Sequence, residues 1–354
     1  MQSSNKPLFE DEMGEIVDSS SNIAQNEDEK HKHTLLMNQL YGKPPVRSEW
    51  ELERLFQESG PFFHVHTKPL ETGVIFMNDE ERAVAMVYIA IAAMLAGVEV
   101  LAFALMSNHF HFILRGQEGQ CKDFYARFAK MLGMYFSRHG RAGVLDAVGV
   151  PGLTPITTLK QLRDEIAYVI RNPFVVRKDI NPFAYPWCSG YLYFNPILSM
   201  LKQQPVSSLT LREKRSLTHS RDLPLPKDLT LIDGQVFPGS FVNYGLVESM
   251  FTDCRQFVFW VVKNVEAQVE TALRLGEKPS LPDDDILSVS LQLCKKEFGV
   301  KGPSYLTETQ KYALAKKLKY DYYASNGQVA RFTGLPVRAV DALFPLAAKN
   351  SSSK

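Results

Sequence analysis

The stretch VEVLAFALMSNHFHFILRG, residues 98–116, decides the fold. Val98 to Met106 is almost wholly apolar, Ser107 and Asn108 interrupt it, and His109 to Arg115 resumes with alternating side-chain character. The pattern predicts two antiparallel strands joined by a short turn. In the second strand a period of two puts His109 and His111 on one face and Phe110 and Phe112 on the other. Two neutral imidazoles roughly 7 Å apart by Cα rise can converge on one divalent ion and leave positions open for phosphate oxygens and water. Spacing alone decides nothing, because an HxH pair is more often just the polar face of a strand. The chain also carries an internal control of the same spacing, His64-Val65-His66 in FFHVHTK.

Working outward, PFFHVHTKPL reads as an earlier strand, SEWELERLFQ as a short helix before it, and NDEERAVAMVYIAIAAMLAG as a helix with acids in its first turn. The apolar run Ala83 to Val98 is about 16 residues, short of the ~20 that a membrane span needs, so a buried helix is expected. Downstream, helices are predicted at about 120–139 and 157–172, with RAGVLDAVGVPGLTP between them as a Gly- and Pro-containing linker. Strand, helix and hairpin in this order indicate an α+β sandwich that closes near residue 200. Gln203 to Gly239 reads as linker or irregular chain, and the remainder as largely helical. Residues 1–48 are polar and are expected to form a mobile tail.

The 354 residues carry a net charge of only +1, with 45% hydrophobic and 22% charged side chains, which excludes wholesale disorder. Any nucleic-acid surface must therefore be local. Four dispersed cysteines form no CxxC pair and indicate neither a zinc knuckle nor a disulfide framework. The opening MQSSNKPLFEDEMGEIVD lacks the basic start and apolar core of a signal peptide, so a cytoplasmic protein is expected.

About 57 residues after His111, EIAYVIRNP places Tyr168 and Asn172 at i and i+4, on one helix face if the helix persists that far. Pro173 biases Asn172 toward a helix end, which would disturb that alignment. The series ALMSNHFHFILRG, KMLGMYFSRHGRAG, YVIRNP and YPWCSGYLYF resembles the REP-associated tyrosine transposases and related single-tyrosine transposases of the HUH superfamily, over about residues 60–195.

That resemblance implies an antiparallel-sheet HUH endonuclease domain (ferredoxin-like or RRM-like), within an α+β chain that carries a helical C-terminal extension. It gives His109, His111 and Asn172 to Mg²⁺ or Mn²⁺ and makes Tyr168 the nucleophile that forms a 5′-phosphotyrosine link with hairpin-bearing single-stranded DNA. His64 and His66 fall on the first sheet strand, as structural or DNA-facing residues. The chain departs from the family pattern at Ser107, where proline is common, at Val144 to Asp146, where tryptophan often follows, and at Cys188, where serine is frequent. These departures bear on DNA contacts rather than on the catalytic set.

Between Cys121 and Lys178 ten basic side chains face four acidic ones, a local +6 that would give salt-dependent phosphate binding. The DNA-facing candidates are Arg115, Lys130, Arg138, Arg141 and Arg171. Tyr125, Phe128, Tyr135 and Phe136 interleave with them and could stack bases, although aromatics on a helix are core more often. Near the C-terminus, Thr333-Gly334-Leu335 separates two helical stretches as in a helix-turn-helix, with Arg338 early in the second and duplex DNA as the expected partner.

The expected segments are thus a tail at 1–48, the catalytic domain at 49–200, a linker and helical region at 201–300, and the helix-turn-helix at 301–354. A catalytically silent DNA-binding regulator and a hydrolase using activated water without Tyr168 remain alternatives, as do a monomer and a homodimer.

Overall fold

The computed structural model describes residues 47–345, apart from 69–73, 177–180, 264 and 278. The expected tail therefore lies almost entirely outside the described residues. From Glu49 onward the described residues form one compact unit.

A short helix α1 (Glu49–Ser59) leads into β1 (Phe62–His66). Helix α2 (Asp79–Ala96) starts where the Asn78 side chain accepts the Glu81 amide and stops at Gly97, whose φ of 67° lies in the left-handed region that glycine enters at no steric cost. The hairpin β2 (Glu99–Leu105) and β3 (Phe110–Arg115) follows, then α3 (Glu118–Arg138), β4 (Gly152–Ile156) and α4 (Leu159–Val176). The four strands form an antiparallel sheet in the order β2-β3-β1-β4, so the chain up to β4 follows the split βαββαβ arrangement.

Each face of the sheet carries its own core. Val65, Phe110, Phe112 and Leu114 pack against α2 and α3, while Phe62, Leu101, Ala104 and Ile113 pack against α4. The exposed edge that β2 would present is covered: Leu105 donates its amide to Trp187, Tyr193 donates its hydroxyl to Leu101, and Asn243 donates its amide to Val100.

Beyond the sheet, β5 (Gln204–Pro205), β6 (Thr230–Ile232) and β7 (Gln235–Val236) make a second small sheet, with α5 (Leu211–Thr218) beside it on the α2 side. Helices α6 (Tyr244–Ser249), α7 (Cys254–Lys263) and α8 (Val265–Arg274) follow. Helices α9 (Asp283–Phe298), α10 (Glu308–Tyr320), α11 (Asn326–Thr333) and α12 (Val337–Leu343) share a third core with Val265 and Val269 of α8.

Two elements differ from the sequence reading. β4 lies inside the stretch read as a linker, because Gly152 and Pro155 suppress the strand signal. Pro155 is tolerated since β4 is the sheet edge and a missing N–H on its open side breaks no ladder bond. Residues 203–239, read as linker or irregular chain, hold the small sheet, whose strands of two or three residues are too short for a period to register.

Candidate active site

Helix α4 does not stop before Pro173 but runs through it to Val176. Proline removes the N–H that would satisfy the Val169 carbonyl, and the Cys188 thiol approaches that carbonyl instead, at 4.0 Å. Cys188 thus takes a position left open by Pro173. Because the helix continues, Tyr168 and Asn172 stand one turn apart on the sheet-facing side, and Asn172 does not fray.

Both side chains meet the histidines of the hairpin. His109 sits immediately before β3 and His111 within it, and their rings are nearly perpendicular with centroids 5.0 Å apart. The Asn172 carboxamide spans the two, with Oδ1 3.0 Å from His109 Nε2 and Nδ2 3.2 Å from His111 Nε2. The Tyr168 ring stands edge-on to His111 at 5.6 Å.

β1 adds two more imidazoles. In the antiparallel register His66 lies opposite His111, while His64, opposite Ile113, is diagonal to it and hydrogen-bonds His111 Nδ1 through Nε2 at 3.1 Å. His64 Nδ1 donates to Glu165 Oε2 at 2.8 Å. The His66 ring lies over Gly152, where any Cβ would come within 2.1 Å of it. Only glycine fits there, which explains part of the weak strand signal of β4. Neither His64 nor His66 faces solvent, so the DNA-facing alternative for this pair is withdrawn.

A further functional group arrives from residues in which the sequence offered no chemistry. Glu277, just past α8, accepts the Tyr168 hydroxyl proton at Oε2. Its Oε1 lies 3.5 Å from His66 Nδ1 and 3.9 Å from His111 Nε2, and neither Oε1 nor His66 Nδ1 has a hydrogen-bond partner among the described residues. Beside them a cavity of about 250 Å³ is lined by Ser107, His109, Tyr168, Asn172, Gln268, Glu277 and Ser280 among others. Three residues before Glu277, Arg274 donates to Glu165 at 2.7 Å. The end of α8 is therefore tied both to the tyrosine and to the histidine cluster.

Burial sets the electrostatics. It holds His64 and His109 below the ordinary imidazole range and His111 well below it, His111 being further depressed by the neighbouring histidines. Burial, followed by the Glu277 carboxylate, pushes the Tyr168 phenol well above its usual value. Burial also works to raise Glu165 and Glu277, but their hydrogen bonds and neighbouring charges prevail, and both carboxyls end below the usual range.

A histidine whose folded pKa lies below its unfolded value of about 6.5 binds its proton more readily in the unfolded chain. Its contribution is complete above that value and declines as pH falls toward the folded pKa. Metal-free protein is therefore expected to lose melting temperature from pH 7.5 to 5.5, with a limiting slope of about 1.4 kcal/mol per pH unit for each proton taken up. The two carboxylates add a further loss below about pH 4.5, where their unfolded forms take up protons. Melting curves across this range check the expectation, and flat stability between pH 7.5 and 5.5 would contradict it.

The donor set can be tested against a cation on its own chemistry. His109 Nδ1 lies 2.8 Å from Asn108 Oδ1 and its Nε2 3.0 Å from Asn172 Oδ1, both acceptors, so the single hydrogen of the neutral ring can serve only one of them. One carboxamide can donate to one histidine Nε2 but must turn its oxygen toward the other. Two imidazole nitrogens and an amide oxygen converge there, donors of the kind a divalent cation takes. Among the described residues no three His, Cys, Asp or Glu side chains form a metal-binding group, so the fit depends on the Asn172 oxygen.

The basic residues expected to face DNA divide into two groups. Arg171 is buried, ion-paired with Asp285 of α9 and donating to the Val261 and Val262 carbonyls, and Arg163 is buried against Glu49 and Met250. Arg141 pairs with Glu81 at 2.5 Å and lies over the Phe136 ring. These three hold elements together. Arg115 is bound to Glu99 and the Ser59 carbonyl, while Lys130 and Arg138 on α3 and Arg338 on α12 are exposed. Phe128, Tyr135 and Phe136 are core residues and Tyr125 packs against them, so none is placed to stack bases.

No family model matches the chain, and none of the curated proteins matches it. Among solved structures it is similar to one described as a REP-associated tyrosine transposase bound to a REP hairpin, at 13% identity and a TM-score of 0.30, over 38% of this chain and 78% of that one. At that level the likeness assigns neither a family nor a residue role. No helix among the described residues is long and apolar enough to cross a membrane.

Proposed function

We propose that the protein is a single-strand DNA nicking and rejoining enzyme of the HUH tyrosine type, with Tyr168 as nucleophile. The observation that carries this reading is the placement of a tyrosine and an amide, one helical turn apart on α4, directly against His109 and His111 at the start of β3. The four-segment resemblance in the sequence supports it and names the substrate as hairpin-bearing single-stranded DNA.

His109, His111 and Asn172 would hold Mg²⁺ or Mn²⁺. When bound, such an ion polarises a phosphate oxygen and offsets charge in an in-line displacement. The protein's own part is to hold the phenol against the scissile phosphate and exclude water from it. Tyr168 forms a bond to phosphorus, the bond to the 3′ oxygen breaks, and the phenolic proton passes to that oxygen. Reversal rejoins the strand without ATP.

The protonated phenol and Glu277 beside it belong to a closed state, and the segment after α8 must withdraw before a phosphate enters. Of the DNA-facing candidates, Lys130 and Arg138 are exposed on α3 and would meet the DNA backbone away from the catalytic face, with Arg338 on α12 offered to duplex DNA. The alternative of a catalytically silent DNA-binding regulator draws on this same occupation of the site by Glu277.

The test is incubation of end-labelled hairpin DNA with protein and Mn²⁺, followed by a denaturing gel. A covalent protein–DNA band is expected, absent without metal and absent in a His109→Ala/His111→Ala variant that still melts cooperatively. Metal-dependent cleavage with no covalent band would replace this proposal with a hydrolase, and DNA binding without cleavage would replace it with the regulator.

A further inference from the structure

We infer that Glu165 and His64 are positioning residues: a hydrogen-bonded chain running Glu165–His64–His111 fixes His111 as its Nδ1–H tautomer and turns its Nε2 lone pair into the site. The functional meaning of this chain rests on the nuclease reading above, but its structure does not.

The chain has a direction because one end can only accept. Glu165 Oε1 receives hydrogen bonds from Gln161 Nε2 at 2.8 Å and Arg274 Nη1 at 2.7 Å, and Oε2 faces His64 Nδ1 at 2.8 Å. A carboxylate offers no proton, so His64 must carry its hydrogen on Nδ1. The neutral ring then has a lone pair on Nε2, and the contact of 3.1 Å to His111 Nδ1 requires His111 to be the donor. With its single hydrogen committed there, His111 presents a bare Nε2 to the Asn172 amide and the Glu277 carboxylate.

All three side chains of the chain are fully buried, so water cannot substitute for any link. Arg274, 2.7 Å from Oε1, already balances the Glu165 charge, so the pair needs no second positive charge on His64 and the one-hydrogen count holds. His66 provides the contrast: it is buried with the same spacing in β1, yet its Nδ1 lies 3.5 Å from the Glu277 carboxylate, outside hydrogen-bond geometry. The arrangement is specific to the residue that leads to His111. Partners of this kind behind a metal-binding imidazole set its tautomer and orientation, and their loss costs 10–100-fold in metal affinity.

Glu165→Gln makes a sharp test. Gln161 and Arg274 both donate to Oε1, so the amide oxygen stays with them and the NH₂ turns to His64. His64 Nδ1 then accepts, its Nε2–H donates to His111 Nδ1, and His111 is left protonated on Nε2, where a cation would bind.

The full-length protein, labelled with ¹⁵N at histidine and free of metal, would be studied by ¹⁵N–¹H correlation spectra near neutral pH, alongside Mn²⁺ titrations read by the electron paramagnetic resonance of free ion. We expect His111 to be protonated at Nδ1 in the wild type and at Nε2 in Glu165→Gln, with Mn²⁺ bound 10–100-fold more weakly by the variant. A wild type protonated at His111 Nε2 overturns the inference without any variant, even if Glu165→Gln fails to fold. A folded Glu165→Gln protein with unchanged tautomer and unchanged Mn²⁺ affinity overturns it too, while leaving the nuclease reading standing. The converse result, a tautomer that inverts as described in a protein that takes up no Mn²⁺, supports the chain and overturns the nuclease reading.

Discussion

Tyr168→Phe is expected to abolish the covalent protein–DNA band and to lower strand cleavage by ~10⁴-fold or more, the scale on which removal of a nucleophile acts when other catalytic groups remain. The substitution deletes one oxygen from a half-buried ring held edge-on to His111, so packing is little disturbed. It also frees the Glu277 carboxylate from its hydroxyl partner, and a small change in melting temperature of either sign is compatible with the assignment. Binding of hairpin DNA should stay within a few-fold of wild type, because the phenol contributes to bond making rather than to backbone contacts. The decisive comparison is a single-turnover time course with Mn²⁺ on a denaturing gel. If Tyr168→Phe cleaves at a rate near that of wild type, the phosphate is being attacked by water and Tyr168 is not the nucleophile.

How much of this was legible in the sequence depends on distance along the chain. The hairpin at 98–116 and the two-residue period of its second strand report directly on the sheet and on the shared face of His109 and His111. The helical spacing of Tyr168 and Asn172 was visible too, but its persistence through Pro173 was not, because that depends on Cys188 reaching the Val169 carbonyl from elsewhere in the fold. Glu165 carried a faint signal, lying three residues before Tyr168 and so near the same helix face. Its link to His64 needs the β1 register, which no local pattern specifies.

Arg171 misled for the opposite reason. A basic residue beside a proposed DNA-cleaving tyrosine looks like a phosphate contact, and only the packing of α9 shows that Asp285 neutralises it. Glu277 had no sequence signal, since a single acid after a helix acquires meaning only where the chain folds back onto the site.

Glu277→Ala is expected to increase cleavage, between ~10-fold and ~10³-fold in single turnover. In the closed state the carboxylate accepts a hydrogen bond from the Tyr168 hydroxyl and stands 3.9 Å from His111 Nε2, close to where the scissile phosphate has to sit. Two like charges about 4 Å apart repel by about 4 kcal/mol at an effective dielectric of 20, a factor of ~10³ in rate if fully relieved. That is the upper bound, because the segment carrying Glu277 can withdraw at a smaller cost. The same carboxylate adds to burial in raising the phenol, so its removal also makes the nucleophile easier to ionise.

Glu277→Gln separates the two contributions. It keeps a hydrogen-bond acceptor for Tyr168 and the volume in the cavity while removing the charge, so a gain close to that of the alanine variant assigns the block to electrostatics, and a gain only in alanine assigns it to occlusion. A loss of activity in both variants, with Mn²⁺ binding weakened in parallel, would make Glu277 a working ligand of the site and would turn the closed state into the resting form of the catalytic one.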